Sequence, residues 1–190
     1  RLASLLQASG CGVRCFDLHA EPGEPGSALH GDVTQPTTLP KAFQGADAVV
    51  HLAAVHRDDV RPVERYYEVN VRGTANVLQA LEQVGCKRIV FTSTVAVYPL
   101  NAREPDEDFP PAPFNDYGRS KLEAERLIEA WAARHPDATA VIVRLCVVFG
   151  EGNRGNVYNL LRQIADRRFL MVGTGQNRKS MAYVGNVAAF

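Results

Sequence analysis

Residues 115–125 read Asn-Asp-Tyr-Gly-Arg-Ser-Lys-Leu-Glu-Ala-Glu. They open a segment, Tyr117 to His135, whose apolar residues recur at helical spacing, which predicts an amphipathic helix ending before Pro136. Within that helix, Tyr117 and Lys121 lie on one face about a turn apart. The Lys121 ammonium can then favour the ionised form of the Tyr117 phenol. Such a tyrosine can accept a proton from a sugar or alcohol hydroxyl near neutral pH.

The same spacing also occurs in helices whose Tyr and Lys have no chemical role, so the surrounding pattern has to be considered. Runs rich in β-branched residues alternate with helical patterns along the chain, and such runs fit strands buried in a parallel sheet. The predicted strands are Gly12–Asp17, Ala46–Ala54, Arg88–Ser93 and Thr139–Arg144, and a second predicted helix covers Val63–Val84 and stops at Gly85. This alternation predicts an α/β fold with a doubly wound, Rossmann-like parallel sheet.

The two ends of the chain indicate a piece of a larger fold. The chain opens inside a helical pattern that carries Leu2, Leu5 and Leu6 on one stripe and ends near Gly10. In a doubly wound nucleotide-binding domain, a strand and a Gly-rich turn precede that helix, and we expect both to lie outside this sequence. We expect residues 1–150 to form the dinucleotide-binding domain. Residues 151–190, which close on a strand-to-helix pattern, should begin the substrate-binding region.

The composition is that expected of a cytoplasmic enzyme. Basic and acidic residues number 21 each, so the formal net charge is zero and nothing favours nucleic-acid binding. No apolar run approaches the roughly 20 residues of a membrane-spanning helix. The four cysteines, Cys11, Cys15, Cys86 and Cys146, form no C-x-x-C pair and have no histidine at ligand spacing. We therefore expect free thiols and no metal site.

Several residues stand at strand ends, where a dinucleotide would contact them. Asp17 ends the second strand of the fold, counting the absent strand as the first, and a carboxylate there accepts hydrogen bonds from ribose hydroxyls and repels a 2′-phosphate. This favours NAD over NADP, although Asp17 can also be a simple turn residue. Asp32 and Val33 follow the next short strand, beside the expected adenine position. The small segment Leu52–Ala54 would let backbone approach the cofactor, or would simply pack against a helix.

Five motifs occur in an order that resembles one family. They are His51-Leu-Ala-Ala54, Tyr67-Glu-Val-Asn-Val-Arg-Gly-Thr74, Phe91-Thr-Ser-Thr-Val-Ala-Val-Tyr98, Tyr117-x-x-x-Lys121 and Arg144-x-x-x-Val-Phe-Gly150. Over its whole length the chain resembles the NAD-dependent sugar epimerase/dehydratase family of extended short-chain dehydrogenases/reductases. The resemblance implies that the NAD site is lined by Asp17, Asp32, Val33, Leu52, Ala53, Ala54, Asn70, Tyr117, Lys121 and Cys146. It also implies that Thr94, Tyr117 and Lys121 are catalytic.

The resemblance implies a reaction through a 4-keto sugar. Tyr117 takes the O4 proton while C4 gives a hydride to the nicotinamide, and Thr94, which stands where many members have Ser, orients the sugar oxygen. Dehydratases of the family carry an Asp-Glu pair after this hydroxyl residue, whereas this chain has Val95 and Ala96, which cannot transfer protons. The resemblance therefore favours a 4-epimerase. A reductase or dehydrogenase of the same family, or a non-catalytic NAD-binding module, remains as an alternative.

The last third of the chain resembles a narrower group from surface-polysaccharide pathways. Residues 149–161, residues 177–186 and the segment His56–Val60 carry this likeness. Some members of the group epimerise N-acetylglucosamine linked to UDP or to undecaprenyl diphosphate. Asn156 and Lys179 are then expected to bind the substrate diphosphate, although basic residues of this region can also be merely solvated. The resemblance further implies a homodimer built on the two long helices, with contact to a membrane surface only for a lipid-linked substrate.

Overall fold

Parallel strands connected by helices make up residues 13–145 of the computed structural model. The strands are β1 (Arg14–Asp17), β2 (Ser27–His30), β3 (Val49–His51), β4 (Arg88–Thr94) and β5 (Thr139–Leu145). The helices are α2 (Leu39–Phe43), α3 (Glu64–Tyr66), α4 (Gly73–Val84) and α5 (Asp116–Arg134), with a π-helical segment at Tyr67–Arg72 and 3₁₀ turns at Pro36–Thr38 and Val95–Val97. The predicted α/β class with parallel strands is confirmed.

The structure describes residues 1–21, 26–57 and 59–190. Residues 22–25, and Asp58 of the segment His56–Val60, lie outside the described residues. By its contacts the chain divides into two compact units, one formed by Val13–Leu145 and the other by Arg1–Gly12 with Cys146–Phe190. The domain boundary near residue 150 stays a prediction.

The sheet of the larger unit consists of two parallel groups. β1 pairs with β2, with Arg14 opposite Ser27, and the order of the second group is β3-β4-β5. No ladder joins the two groups within the described ranges. In the second group β4 is central, and its residues Ile89 and Phe91 are at most 1 % exposed. The core of this unit therefore lies against β4, where Val77 and Leu81 of α4 and Ile128 and Trp131 of α5 are also buried.

The strand predicted over Ala46–Ala54 is shorter in the structure, where β3 covers only Val49–His51. A turn precedes it, because Gly45 has a φ of +67° and Ala46 N donates to Phe43 O. After His51 the chain leaves the ladder, and Val55 pairs with the side chain of Asn70. The apolar pattern indicates which residues are buried. The strand nevertheless ends early, because the backbone of Val55 pairs with the Asn70 side chain instead of with a neighbouring strand.

The two predicted long helices are confirmed with shifted bounds. Helix α5 begins where the Asn115 side chain accepts a hydrogen bond of 2.8 Å from Gly118 N, which is an N-cap. The helical region predicted over Val63–Val84 is helical from Glu64, but its middle is a π-helix, and Gly85 ends it with a φ of +72°.

The smaller unit contains α1 (Leu2–Ala8), β6 (Val147–Phe149), α6 (Asn156–Ala165), β7 (Met181–Tyr183) and α7 (Val184–Ala189). β6 and β7 are parallel, and β7 leads directly into α7, as the strand-to-helix pattern at the end of the sequence predicts. Arg1 and Tyr183 both contact the carboxylate of Glu151 in this unit. No helix in the described ranges combines the length and apolar character needed to cross a bilayer.

Candidate functional site

The carboxyl ends of β3, β4 and β5 form one edge of the sheet, where ligands bind in doubly wound folds. The catalytic candidate Thr94 is the last residue of β4 and lies opposite Leu145 of β5. Its backbone is extended, and its Oγ1 accepts a hydrogen bond of 3.1 Å from Ala96 N at the start of the following 3₁₀ turn. The hydroxyl hydrogen of Thr94 is not used in this bond, so it can be donated to a ligand oxygen.

Gly118 brings the start of α5 against that turn. A Cβ atom placed on Gly118 would lie 2.3 Å from the carbonyl oxygen of Ala96, far inside van der Waals contact. Only glycine therefore permits this approach of the helix to the turn that follows Thr94. Because Tyr117 directly precedes Gly118 in the first turn of α5, its backbone lies beside the turn that follows β4. Sequence reasoning missed this role of Gly118, although its place after the tyrosine was visible.

Lys121 lies one turn along α5 and is 1 % exposed. Its Nζ lies 3.9 Å from the centroid of the Phe91 ring, a cation–π contact, and makes no hydrogen bond with the described residues. Burial lowers the pKa of Lys121 to about 7, and the negative charge of Glu125 opposes this shift. The structure thus buries the amino group of Lys121 on the face of α5 that also carries Tyr117.

A buried histidine lies at the end of β3. His51 Nε2 is 3.0 Å from Thr74 Oγ1, and that hydroxyl donates its one hydrogen to Asn70 O at 2.6 Å. His51 must therefore be the donor in its bond with Thr74, which fixes the Nε2–H tautomer. Burial, followed by the positive charge of Lys121, lowers the pKa of His51 to about 3. His51 is neutral at physiological pH and adds no charge beside Lys121.

Asn70, in the π-helical segment, connects the loop after β3 to helix α5. Its amide nitrogen donates to Val55 O at 3.0 Å and to Ser120 Oγ at 2.9 Å, and its oxygen accepts from Val55 N at 2.8 Å. Ser120 Oγ in turn donates to Tyr117 O at 2.8 Å. Both amide hydrogens of Asn70 are thus used within the protein, and one lone pair of its oxygen is left for a ligand. Asn70 thus joins two segments of the protein, and its expected contact with NAD stays a prediction.

A buried ion pair lies further along the same helix face. Arg144, near the end of β5, donates from Nε and Nη2 to the Glu125 carboxylate at distances of 2.8 to 3.3 Å. Its Nη1 donates to the Tyr98 hydroxyl at 2.7 Å and to Glu107 O at 3.1 Å. The hydrogen bonds with Glu125 raise the pKa of Arg144. Sequence reasoning noted Arg144 only as part of a motif and missed Glu125, although it follows Lys121 by four residues.

The predicted adenosine-side residues occupy the ends of β1 and β2. Asp17 ends β1 and is exposed, and its Oδ1 accepts a hydrogen bond of 2.8 Å from His19 N. Asp32 follows β2, and its Oδ1 accepts at 2.8 Å from Thr34 N. Each carboxylate shapes a turn with one oxygen and makes no described hydrogen bond with the other. The geometry therefore fits both interpretations of Asp17, as a residue that shapes a turn and as a ligand of the ribose.

Close packing surrounds the next predicted cofactor residues. Val33 lies beneath Gly73, where an added Cβ would be 2.8 Å from Val33 Cγ2. Ala53 packs against the core, whereas the side chain of Leu52 is 54 % exposed. Ala54 is half-buried between Ala53 and the Asn70-bound Val55. Their predicted contacts with NAD stay predictions.

The edge of the sheet fits a polar ligand such as a dinucleotide. Among the described residues, Ser93 Oγ is one of two buried side-chain polar atoms without a hydrogen-bond partner. Ser93 lies two residues after Phe91, on the same buried face of β4, and directly precedes Thr94, so its hydroxyl lies at the ligand-binding end of the strand. Buried hydroxyls are normally paired. The unpaired Ser93 hydroxyl and the ammonium of Lys121 are groups that a ribose or a carboxamide can satisfy.

Three predicted site residues belong to the smaller unit. Cys146 is half-buried and precedes β6, Asn156 is exposed at the start of α6, and Lys179 is exposed before β7. Their roles at the nicotinamide and at the substrate diphosphate stay predictions. No group of His, Cys, Asp and Glu residues in the described part of the chain has the arrangement of a metal site.

The sequence is similar to known enzymes over most of its length. The sequence profile of the NAD dependent epimerase/dehydratase family matches residues 1–190. An N-acetyl-alpha-D-glucosaminyl-diphospho-ditrans,octacis-undecaprenol 4-epimerase of Escherichia coli O157:H7 is 56% identical over 161 residues, which cover 84% of this chain and 49% of the relative. A 3beta-hydroxysteroid-dehydrogenase/decarboxylase of Arabidopsis thaliana, isoform 1, is 33% identical over 184 residues, which cover 89% of this chain and 41% of that protein. The chain thus spans about half the length of these curated relatives or less.

Solved structures show the same fold. MoeE5 in complex with UDP-glucose and NAD matches 98% of this chain and 64% of its own chain, with a TM-score of 0.87 and 28% identity. UDP-glucose 4-epimerase from Brucella ovis in complex with NAD matches 99% of this chain and 66% of its own, with a TM-score of 0.84 and 23% identity. At that lower identity the second likeness concerns the fold alone.

Proposed function

We propose that this chain, which belongs to the NAD dependent epimerase/dehydratase family, carries most of the NAD site and the catalytic residues of a sugar 4-epimerase. The observation that supports this most is a single edge of the sheet on which Thr94, the start of α5 at Tyr117 and the buried Lys121 meet, in a chain 56% identical to a 4-epimerase. The proposed cofactor, NAD, agrees with the family and with the NAD-bound structural relatives.

The proposed chemistry uses three side chains of the larger unit. When bound, NAD would supply the acceptor and the donor of the hydride at the sugar C4. Tyr117 accepts the O4 proton as its phenolate and gives the proton back after the ketone has turned. The Lys121 ammonium stabilises that phenolate from one helical turn away. The Thr94 hydroxyl accepts a hydrogen bond from Ala96 N, so its own hydrogen remains available. Thr94 donates this hydrogen to the sugar O4 and thereby orients that oxygen.

The turn after Thr94 argues against a dehydratase. Val95 and Ala96 occupy this 3₁₀ turn, and their side chains carry no group that can give or take a proton. The carbonyl of Ala96 faces Gly118, so this part of the turn packs against the helix. Elimination of water needs an acid and a base, and neither residue supplies one. The 4-keto sugar is therefore expected to be reduced again rather than dehydrated.

We propose N-acetylglucosamine on a diphosphate carrier as the substrate. The support is the relative of Escherichia coli O157:H7, whose name states an undecaprenyl-diphosphate-linked N-acetylglucosaminyl substrate. Asn156 at the start of α6 and Lys179 before β7 are the proposed ligands of the diphosphate. UDP is the alternative carrier, and the cytoplasm is the expected compartment.

The test is a turnover assay of the full-length protein with catalytic NAD. N-acetylglucosamine linked to UDP and to undecaprenyl diphosphate are incubated separately, and the product sugars are identified by NMR. An N-acetylgalactosamine product supports the proposal and identifies the carrier. A 4-keto-6-deoxy product would overturn the reasoning from Val95 and Ala96.

A dehydrogenase is the second candidate, favoured by the 33% identity to the Arabidopsis thaliana dehydrogenase/decarboxylase. The same assay separates the two functions. An epimerase cycles its NAD and accumulates no NADH. NADH that accumulates in proportion to product would assign the protein to the dehydrogenases.

A homodimer is the proposed assembly. The outer faces of the π-helical segment, α4 and α5 form an open groove, in which Tyr67, Val71, Ala75 and Leu127 take part. Apolar side chains on two neighbouring helices suit a four-helix contact with a second copy. Light scattering on the full-length protein is expected to give twice the monomer mass. Leu127→Arg is expected to reduce the mass to that of one chain.

A further inference from the structure

Glu125 is a completely buried carboxylate that the proposed proton transfer does not use. A buried charge is strongly destabilising unless it is paired and hydrogen-bonded. Arg144 provides the pairing, with two guanidinium nitrogens on the carboxylate and a shortest distance of 2.8 Å. The side chain of Arg144 is 18% exposed, so this charge pair is largely shielded from water. Such a costly arrangement beside the catalytic helix face calls for a physical reason.

Arg144 is itself held from the opposite side. Its Nη1 donates to the Tyr98 hydroxyl, and that hydroxyl donates to Asp106 O at 2.8 Å. The guanidinium also lies over the Tyr98 ring, 5.1 Å from its centroid. Arg144 therefore has a fixed position between the helix and the segment that follows the Thr94 turn. The position of the Glu125 carboxylate is fixed with it.

The surroundings of Lys121 contain few charges. From β3 it faces the neutral His51, and from β4 the ring of Phe91. Its own helix contributes Tyr117 one turn before and Glu125 one turn after. From β5, Arg144 lies behind Glu125. Among the described residues, Glu125 is the acidic group whose charge acts on Lys121, and Arg144 binds the same carboxylate.

We propose that Glu125 and Arg144 are a positioning pair that sets the charge of Lys121. Glu125 holds Lys121 in its protonated form in a site that disfavours an ammonium ion. Arg144 draws the carboxylate away from Lys121 and so keeps this support limited, which leaves the ammonium free to serve the Tyr117 phenolate. The catalytic role of Lys121 in this scheme rests on the proposed function, whereas its protonation can be measured without turnover.

The two partners are expected to shift the protonation of Lys121 in opposite directions. Glu125→Gln keeps the size and one acceptor for Arg144 but removes the anion, so the titration midpoint of Lys121 falls by about one pH unit or more. Arg144→Met removes the competing cation, so the midpoint rises. The measurement is NMR of the full-length NAD-bound protein with ¹³C-labelled lysine ε-carbons. The Lys121 resonance is assigned by its loss in Lys121→Arg.

Controls separate this role from general damage to the structure. Glu123→Gln makes the same change at an exposed position of α5 and is expected to leave the midpoint unchanged. Glu125→Asp retains the charge and is expected to restore most of the wild-type midpoint, which keeps the test available if Glu125→Gln folds poorly. Equal shifts in the same direction for Glu125→Gln and Arg144→Met, or no shift for Glu125→Gln, would overturn the proposal.

The outcome is independent of the sugar. If the variants shift the Lys121 midpoint but no candidate substrate is epimerised, the proposed function fails and the positioning pair stands. If the wild type is an epimerase and the midpoint is insensitive to Glu125, the pair has only a structural role. With both correct, the pH at which kcat is half-maximal moves in the same direction as the NMR midpoint.

Discussion

The phenol of Tyr117 is the residue on which the proposed chemistry depends most. Tyr117→Phe retains the ring at the start of α5 but removes the proton acceptor. We expect kcat to fall by roughly 10²-fold or more while NAD is still bound, because general-base catalysis supplies about that factor. Steady-state kinetics and calorimetric titration with NAD check this on the full-length protein. Wild-type turnover by the variant would refute the proposed proton transfer.

Lys121 is expected to reduce stability in exchange for function. Its pKa in the folded protein, about 7, lies below the ordinary lysine pKa of 10.5, so the unfolded chain binds more protons between these values and stability rises with pH there. Below pH 7 the full cost of burying the ammonium is present. Lys121→Met should therefore stabilise the protein at pH 6, by on the order of a few kcal/mol. Urea denaturation of the NAD-free full-length protein should show this advantage shrinking from pH 7 to 10.

At this scale the sequence was enough to propose the reactive groups, but the contacts that support these side chains could not be predicted from it. Thr94, Tyr117 and Lys121 have recognisable chemistry at recognisable spacing. The bracing by Asn70 and Ser120 depends on a contact between residues 50 positions apart, which no local pattern reveals. Glu125 was equally hidden, because on an amphipathic helix a glutamate is usually solvated.

Among the elements, the contact of α5 with the turn after β4 leaves no space for a side chain at Gly118. Gly118→Ala places a methyl group 2.3 Å from the Ala96 oxygen, so helix and turn must separate. We expect a destabilisation of about 1–3 kcal/mol and a loss of turnover of at least about tenfold. Denaturation curves and kcat measure the two effects. Glu129→Ala, an exposed change on the same helix, is the matched control and should leave both unchanged.

The π-helical segment gives a second prediction at this scale. Asn70→Ala removes three hydrogen bonds that join the loop after β3 to α5 through Val55 and Ser120. Because these backbone groups then lack partners, we expect a loss of about 2–4 kcal/mol in the free energy of unfolding. Turnover should fall with it. Asn76→Ala removes one half-buried bond to Val33 O and should cost about 1 kcal/mol.

The elements themselves were largely predictable, because buried strands and amphipathic helices carry clear apolar periods. The end of β3 was not, since it depends on the amide of Asn70 taking over the backbone groups of Val55. Nor was the π-helix, because spacings of three and four residues are compatible with both kinds of helix.

For the whole molecule, cofactor choice is the property most open to test. The Asp17 carboxylate at the end of β1 would face the 2′-phosphate of NADP. The full-length protein is expected to bind NAD more tightly than NADP. Asp17→Ala should reduce the ratio of the two affinities at least about tenfold. Calorimetric titrations with both cofactors measure it. Equal affinities of the wild type for NAD and NADP would contradict the prediction that Asp17 is a ribose ligand.

The family and the fold class were predictable from the sequence because five motifs occur in order over the whole chain. The division into units Val13–Leu145 and Arg1–Gly12 with Cys146–Phe190 was not, since it joins segments more than 130 residues apart. Asn156 and Lys179 belong to the smaller of these units, whereas Thr94 and Lys121 belong to the larger one.

The π-helical segment at Tyr67–Arg72 also limits how this chain can change in length. Its hydrogen bonds run between residues five apart instead of four, so the segment accommodates one extra residue, and deleting a single residue would restore a regular helix. The deletion would rotate everything before it by about 100° relative to α4. Tyr66, whose hydroxyl holds the backbone of Arg57 and Val60, would then turn away from its partners. Homologous chains that retain this loop are expected to keep the extra residue through evolution, whatever else varies on the helix surface.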